Sequence, residues 1–438
     1  MAFKVTIVGG GSSMFTPQLV LRFLRSPVFR HSTITLMDID EQRLELMGAL
    51  CRRLALAGEA DLRIECTTDR RAALTGADYV IATVSVGGFA AWEQDLEIPA
   101  RYGIYQPIGD SVGPGGIMRL FRHVLPMVEV CRDLESVAPA AVLFNYTNPV
   151  TALCWAMRKE SGINVVGVCT NGVYVRDPDF MATWVGVEPG ELVLPPLAGG
   201  INHCAAILAL RLRDGRDALQ IIREETDNPV IRWGLETYGV LPYAWPHWME
   251  FFPGLCRLDD PYTGRVQGLC MRYGHPVHDM EIERGRVSEW EALAARWVSG
   301  EGKVDLEEIP EFEPVQVVQI MEAMVENRNE IEVLNLPNRG AIDNLPADAI
   351  VEVSSLVNAY GIRPLHVGPL PEGLAAHLRL HLDVQKLAVE AALTGSRRTA
   401  LQAFLLDPFV SSALTIEETE RLLAEMLAAH AAHLPQFS

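Results

Sequence analysis

Val5-Thr6-Ile7-Val8-Gly9-Gly10-Gly11-Ser12-Ser13, followed by Pro17 and the apolar-periodic Leu19-Val20-Leu21-Arg22-Phe23-Leu24, decides the fold. The β-branched run is a strand, the glycines a turn and the periodic stretch a helix. A helix beginning just after such a turn aims backbone N–H groups and its positive dipole end at it, which suits a pyrophosphate. Gly9 and Gly11 let the backbone approach the ligand, and Ser12 and Ser13 lie in the same turn. Met14 stands where a third glycine is usual, and an ordinary tight turn is the alternative for the segment alone. Context favours the nucleotide. A second strand, Thr33 to Met37, ends at Asp38, placed where an acid accepts hydrogen bonds from adenosine ribose hydroxyls, a choice that favours NAD over its 2′-phosphorylated form. The alternative for Asp38 is a helix-capping or solvated acid.

Outward from this unit, a helix over 41–57 follows, and further strands at 62–66, 79–85, 141–144 and 165–169 are separated by helix-length segments. Strands alternating with helices mean a parallel, doubly wound sheet of Rossmann type. After Thr170 the rhythm breaks into proline-rich turns, an aromatic stretch from Tyr238 to Phe252, a charged helix around 281–298 and long helices near 374–393 and 416–433. The expectation is an α/β chain with two units. Residues 1–170 form an NAD-binding Rossmann domain; residues 171–438 form a mixed, helix-rich α+β domain for catalysis, substrate and oligomerisation, in a lactate/malate dehydrogenase-like architecture.

At 49% hydrophobic and 21% charged residues, the 438-residue chain has the composition of a core-forming globular protein and not of a disordered one. A net charge of −19 repels phosphate backbones and anionic lipid surfaces, so nucleic acid is not an expected partner. No window offers the ~20 apolar residues of a membrane span. The chain runs directly into its first strand without the pattern of a secretory leader, and the eight scattered cysteines include no CxxC pair. A reduced, cytoplasmic setting is expected. The long amphipathic C-terminal helices suggest a homodimer or homotetramer.

A Rossmann half fits many dehydrogenases, so the later segments must decide the chemistry. Gly103-Ile104-Tyr105-Gln106-Pro107-Ile108-Gly109-Asp110-Ser111-Val112-Gly113-Pro114-Gly115-Gly116-Ile117-Met118-Arg119 is glycine-rich and reads as neither helix nor strand. Asn145-Tyr146-Thr147-Asn148-Pro149 follows the fifth strand, Cys169 ends the sixth, and Gly200-Ile201-Asn202-His203 comes later. With Glu236-Thr237-Tyr238-Gly239, Leu336-Pro337-Asn338-Arg339-Gly340 and Asn344-Leu345-Pro346, these segments resemble glycoside hydrolase family 4, the NAD- and divalent-metal-dependent glycosidases. The resemblance runs over nearly the whole chain and is nearest the α-galacturonidase branch.

The resemblance implies a reaction unlike two-carboxylate hydrolysis. Nicotinamide takes hydride from C3 of the sugar, a base removes the acidified C2 proton, the glycosidic oxygen leaves, water adds and hydride returns. It further implies Cys169 and His203 as ligands of a divalent metal, manganese by expectation, and Asn145 beside the cofactor. Asn148 and Asn202 each offer a donor and an acceptor for vicinal sugar hydroxyls, or serve as turn-stabilising Asx residues. Asp110 hydrogen-bonds a hydroxyl or a metal-bound water, or stabilises its loop. Arg119 pairs with an anionic substrate group such as a uronate carboxylate, or with cofactor phosphates, or with a surface acid.

Two positions depart from the family pattern. Thr170 follows the metal cysteine where relatives carry His, Asp or Asn, and a threonine hydroxyl is no general acid near neutral pH. The galacturonidase-like branch has an aspartate after the ETYG segment, whereas this chain reads Pro242-Tyr243-Ala244-Trp245-Pro246-His247. Tyr243, with its pKa lowered from about 10 by a cation, is the nearest candidate base, unless it is part of an aromatic wall; His247 is the second candidate and a substrate contact. The competing functions are an NAD-dependent hydroxy-acid or sugar dehydrogenase, which has no use for the Cys169/His203 pair, and a homologue that binds NAD and sugar without turnover.

Overall fold

The run Val5 to Val8 becomes a strand buried on both faces, as β-branched side chains between two helix layers require. The computed structural model describes residues 2–259, 262–312 and 315–438. Among them the strands are β1 Lys4–Val8, β2 Thr33–Met37, β3 Arg63–Thr67, β4 Tyr79–Ala82, β5 Val142–Asn145, β6 Asn164–Gly167, β7 Leu192–Ile201, β8 Cys204–Leu212, β9 Leu241–Pro242, β10 Glu330–Pro337, β11 Ile350–Asn358 and β12 Gly361–Pro364. They form a single sheet in the order β3-β2-β1-β4-β5-β6-β10-β11-β7-β8-β9, with β12 paired to β11. From β3 to β6 every pairing is parallel; from β6 onward every pairing is antiparallel. This is the expected Rossmann sheet extended by an α+β unit. The two kinds of sheet meet at one residue pair, Gly167 against Asn335.

The helix expected over 41–57 spans Glu41–Ala57, started by Asp40, whose side chain accepts from the Arg43 N–H. The charged helix is Met280–Ser299 and the long C-terminal ones are Glu372–Thr394 and Ile416–Ala429. Most boundaries shift by a few residues, and three differences bear on the site. β4 ends at Ala82, beyond which the Val84 N–H donates to the Thr147 hydroxyl at 2.9 Å and the chain turns through Gly87 and Gly88, both with positive φ. Cys169 lies two residues beyond β6, after Val168 makes the last ladder-like bond to the Asn145 carbonyl at 3.0 Å. The glycine-rich segment is half helix. Gly113–Val137 is a 25-residue helix with Pro114 in its first turn. Its glycines serve close packing, since a Cβ on Gly115 would sit 2.7 Å from the Asp95 carbonyl oxygen and one on Gly116 2.4 Å from the Ser111 carbonyl carbon.

The later half folds back over the earlier one. Helix Met280–Ser299 packs on Glu41–Ala57, and its Trp290, Ala294 and Trp297 join the core of the nucleotide-type half. Helix Glu372–Thr394 packs on Gly113–Val137, so its apolar face is used within the molecule. No helix among the described residues is long and apolar enough to cross a membrane.

Candidate active site

In a doubly wound sheet ligands bind beyond the carboxyl ends of the strands, where the strand order reverses, here between β1 and β4. The Gly9 turn lies there. Gly9 has φ +93°, and a Cβ on it would stand 2.7 Å from the Thr83 carbonyl oxygen. Asp38, at the end of β2, accepts from the Gly11 N–H at 2.9 Å and the Asp40 N–H at 3.0 Å, which fixes its carboxylate beside the turn with lone pairs to spare. Ser12 Oγ accepts from the Phe15 N–H at 3.2 Å, whereas the Ser13 hydroxyl bonds Glu291 on helix Met280–Ser299. Asn145 is fully buried, and its amide is engaged within its own loop, donating to the Thr147 carbonyl at 3.0 Å and accepting from the Thr147 N–H at 3.1 Å. The glycine turn, the helix after it and the poised acid fit a dinucleotide.

A second cluster forms where β6 meets β10. His203 sits in the two-residue turn between β7 and β8 with φ +68°, a left-handed backbone that costs a non-glycine residue about 1–2 kcal/mol and marks a position held by its surroundings. Its ring faces both the Cys169 sulfur and the Asp110 carboxylate. His203 Nδ1 lies 2.9 Å from Ser111 Oγ and 3.5 Å from Asp110 Oδ1, while the Ser111 hydroxyl donates to Asp110 at 2.9 Å. Asn148 Nδ2 donates to Asp110 Oδ2 at 2.7 Å. The His247 ring lies against that of His203, with centroids 3.8 Å apart.

Burial opposes ionisation of Asp110, yet His203, His247 and Arg119 outweigh it and hold the carboxyl well below the usual range. Burial likewise disfavours a charged His203, but Asp110 and Cys169 raise its pKa well above the ordinary histidine value. His247 is pushed well below that value by burial and then by His203. A buried set of carboxylate, imidazoles and thiol fits a divalent cation. Asp110, His203 and His247 each offer a ligand atom within 4.8 Å of the others.

Around this cluster lie the remaining expected residues and several that sequence reasoning missed. Glu352, on β11 and buried, accepts from the Tyr243 hydroxyl at 2.5 Å, Asn202 Nδ2 at 2.7 Å and Asn335 Nδ2 at 3.3 Å. Tyr243 is raised well above its ordinary pKa by burial and by Glu352, so the protein alone holds it as a phenol. Glu250 accepts from the Ile108 and Gly109 N–H groups at 2.7 and 2.6 Å and pins the loop that carries Asp110. Burial and the nearby Asp110 push its carboxyl up to about 8. Each is a lone acid in an apolar run, Ile350-Val351-Glu352-Val353 and Trp248-Met249-Glu250-Phe251-Phe252, a pattern that could have exposed both because unpaired acids are rarely buried. Arg119 lies 5.3 Å from the Trp92 ring centroid and faces Asp110; its Nε is buried without a hydrogen-bond partner among the described residues. Thr170 caps the short helix Asn171–Tyr174 without a side-chain capping bond.

The sequence matches the model of the family 4 glycosyl hydrolases over residues 4–183 and that of the family's C-terminal domain over residues 198–410. An alpha-galactosidase of Rhizobium meliloti is 32% identical, aligned over 100% of this chain and 90% of its own length. An alpha-galacturonidase of Bacillus subtilis is 29% identical over 97% of this chain and 96% of its own. A crystal structure of a 6-phospho-alpha-glucosidase from gut microorganisms, in complex with NAD and Mn2+, shares the fold with a TM-score of 0.83 at 22% identity, covering 100% of both chains. With both family models matched, this chain belongs to the family 4 glycosyl hydrolases, enzymes that depend on NAD and a divalent metal.

Proposed function

We propose that this chain cleaves α-glycosides of an anionic sugar, a galacturonide or a related uronide, by transient oxidation at C3. Gly9, Gly11 and Asp38 would hold NAD, which would supply the hydride acceptor and, at the end of turnover, the donor. Cys169 and His203 would hold a divalent ion, which would supply positive charge to stabilise the oxidised sugar. The hydroxy-acid dehydrogenase reading gives way to the family membership.

The observation that carries the substrate class is Arg119. A buried guanidinium nitrogen without a hydrogen-bond partner is costly, and a bidentate carboxylate from the substrate removes that cost. Asn148 and Asn202 spend their N–H donors on Asp110 and Glu352 and keep Oδ1 unpartnered among the described residues, so each presents an acceptor to a sugar hydroxyl. Tyr243 and Glu352 act together as the base: the phenol oxygen takes the C2 proton while its own proton passes along the 2.5 Å hydrogen bond to Glu352. Thr170 donates a hydrogen bond to the departing oxygen but no proton. The turnover therefore depends on the acidity of the leaving group.

The reading is tested with aryl α-galacturonides, α-galactosides and 6-phosphoglycosides in the presence of NAD, manganese and a thiol reductant. Expected is cleavage of the uronides without net NADH, with kcat/KM rising as the phenol leaving group becomes more acidic. Faster cleavage of the neutral galactosides would sink the role of Arg119, and stoichiometric NADH or no turnover would sink the glycosidase cycle. A cytoplasmic homodimer or homotetramer, with its nucleotide unit ending near residue 170, completes the proposal; light scattering of the purified chain checks its assembly.

A further inference from the structure

His247 is the residue of this cluster whose presence nothing yet explains. It follows the aromatic turn after β9, where Pro246-His247-Trp248 forms part of a four-residue helix. Its Nδ1 is buried and has no hydrogen-bond partner among the described residues. The Asp110 carboxylate oxygen Oδ1 is 4.0 Å away, too far for a hydrogen bond. Asp110 Oδ1 is in turn 3.5 Å from His203 Nδ1.

These separations have a specific meaning. Two donors each about 2.1 Å from one ion stand at most roughly 4.2 Å apart, and closer when the angle between them is near tetrahedral or octahedral. Spacings of 3.5 and 4.0 Å lie beyond ordinary hydrogen-bond lengths and within the span that two ligands of one cation can cover. On this ground, and resting on the reading that Cys169 and His203 hold a divalent metal, we infer that His247 is a further protein ligand of that ion and that Asp110 completes the set.

The rest of the site agrees. Asp110 is held from outside by Asn148 Nδ2 at 2.7 Å and by the Ser111 hydroxyl at 2.9 Å, the kind of supporting bonds that orient metal-bound carboxylates. Its loop is fixed by Glu250 and by the Trp92 indole N–H, which donates to the Ile108 carbonyl at 2.6 Å. One thiolate, two imidazoles and one carboxylate leave open the positions that the sugar's vicinal oxygens take. Such a set also ranks divalent ions: nitrogen- and sulfur-rich sites bind cobalt and nickel more tightly than manganese.

The experiment is a titration of the full-length protein with Mn2+ alone, followed by the loss of the free-ion EPR signal, for wild type, Cys169→Ser and His247→Gln, with NAD affinity measured in parallel by calorimetry. Expected is a rise in the Mn2+ Kd of roughly ten-fold or more in His247→Gln, since even outer partners of metal ligands are worth that much, with NAD affinity within two-fold of wild type. A His247→Gln Kd within two-fold of wild type, alongside lost binding in Cys169→Ser, overturns the inference and leaves the Cys169/His203 reading standing. Wild-type protein that does not bind Mn2+, or Cys169→Ser that binds it fully, overturns that reading as well. Should His247→Gln not fold, pulsed EPR of the wild-type Mn2+ complex decides: nitrogen couplings from two imidazoles support the inference, and coupling from one overturns it.

Discussion

Single residues carry the chemistry here through what their burial demands. Asp407 shows this away from the reaction. It is fully buried, and its Oδ1 accepts from the Phe409 and Val410 N–H groups at 3.0 and 3.2 Å, while Oδ2 has no partner among the described residues. Burial, only partly offset by those bonds, pushes its carboxyl up to about 7. Because this folded-state value lies above the unfolded one near 3.8, the unfolded chain releases the proton first. The folded protein therefore loses stability as pH rises between those values, and the loss is complete above about 7. Asp407→Asn keeps a capping oxygen and removes the titration. Its melting temperature relative to wild type should rise from pH 5 to pH 8; a pH-independent difference would show that Asp407 is ionised throughout. The active-site residues obey the same logic. Asp110 is kept charged by cationic neighbours, whereas Tyr243 is kept neutral by a carboxylate at 2.5 Å.

Among the elements, helix Gly113–Val137 does the most to join the nucleotide turn to the reacting cluster. Arg119 faces Asp110, and three and four residues on Arg122 and His123 take both polar groups of the Val86 backbone, in the loop after β4. The Val86 N–H donates to His123 Nε2 at 3.0 Å, and Arg122 Nε donates to the Val86 carbonyl at 3.4 Å. Arg122 is itself buried and forks onto Asp95 at 2.8 and 2.6 Å, and His430 lies 3.2 Å from the same carboxylate. Removing one partner of such a pair strands a buried charge, which costs about 3–5 kcal/mol. Asp95→Ala should lose that much in urea unfolding and weaken NAD binding through the freed Val86 loop. A loss under about 1 kcal/mol would mean that water reaches Arg122.

At the scale of the whole molecule the sheet is continuous, and the chain's end is fastened to its first half. Gln436 Nε2 donates to the Phe121 carbonyl at 2.8 Å, Phe437 packs on Phe121 with centroids 4.8 Å apart, and Arg397 donates to the Phe437 carbonyl at 2.7 Å. Deleting residues 431–438 exposes Phe121 and removes a buried phenylalanine, a change worth roughly 3 kcal/mol. A single calorimetric transition at lower temperature is expected; an unchanged midpoint would show that the tail does not hold the halves together. By itself the sequence determined the parallel half, because β-branched runs, glycine turns and helix periodicity are local signals, and it determined the family through motifs such as Gly109-Asp110-Ser111 and Gly200-Ile201-Asn202-His203. It also singled out Cys169 and His203 as candidate metal ligands, and in the structure the His203 ring lies beside the Cys169 sulfur. Only the tertiary structure decided what surrounds them. Glu352 reaches Tyr243 across 109 residues and Glu250 reaches Gly109 across 141, separations that leave no periodicity to read. The helical start at Gly113 was hidden for a related reason: its glycines answer to contacts with Asp95 and Ser111, and local propensity counts them against a helix.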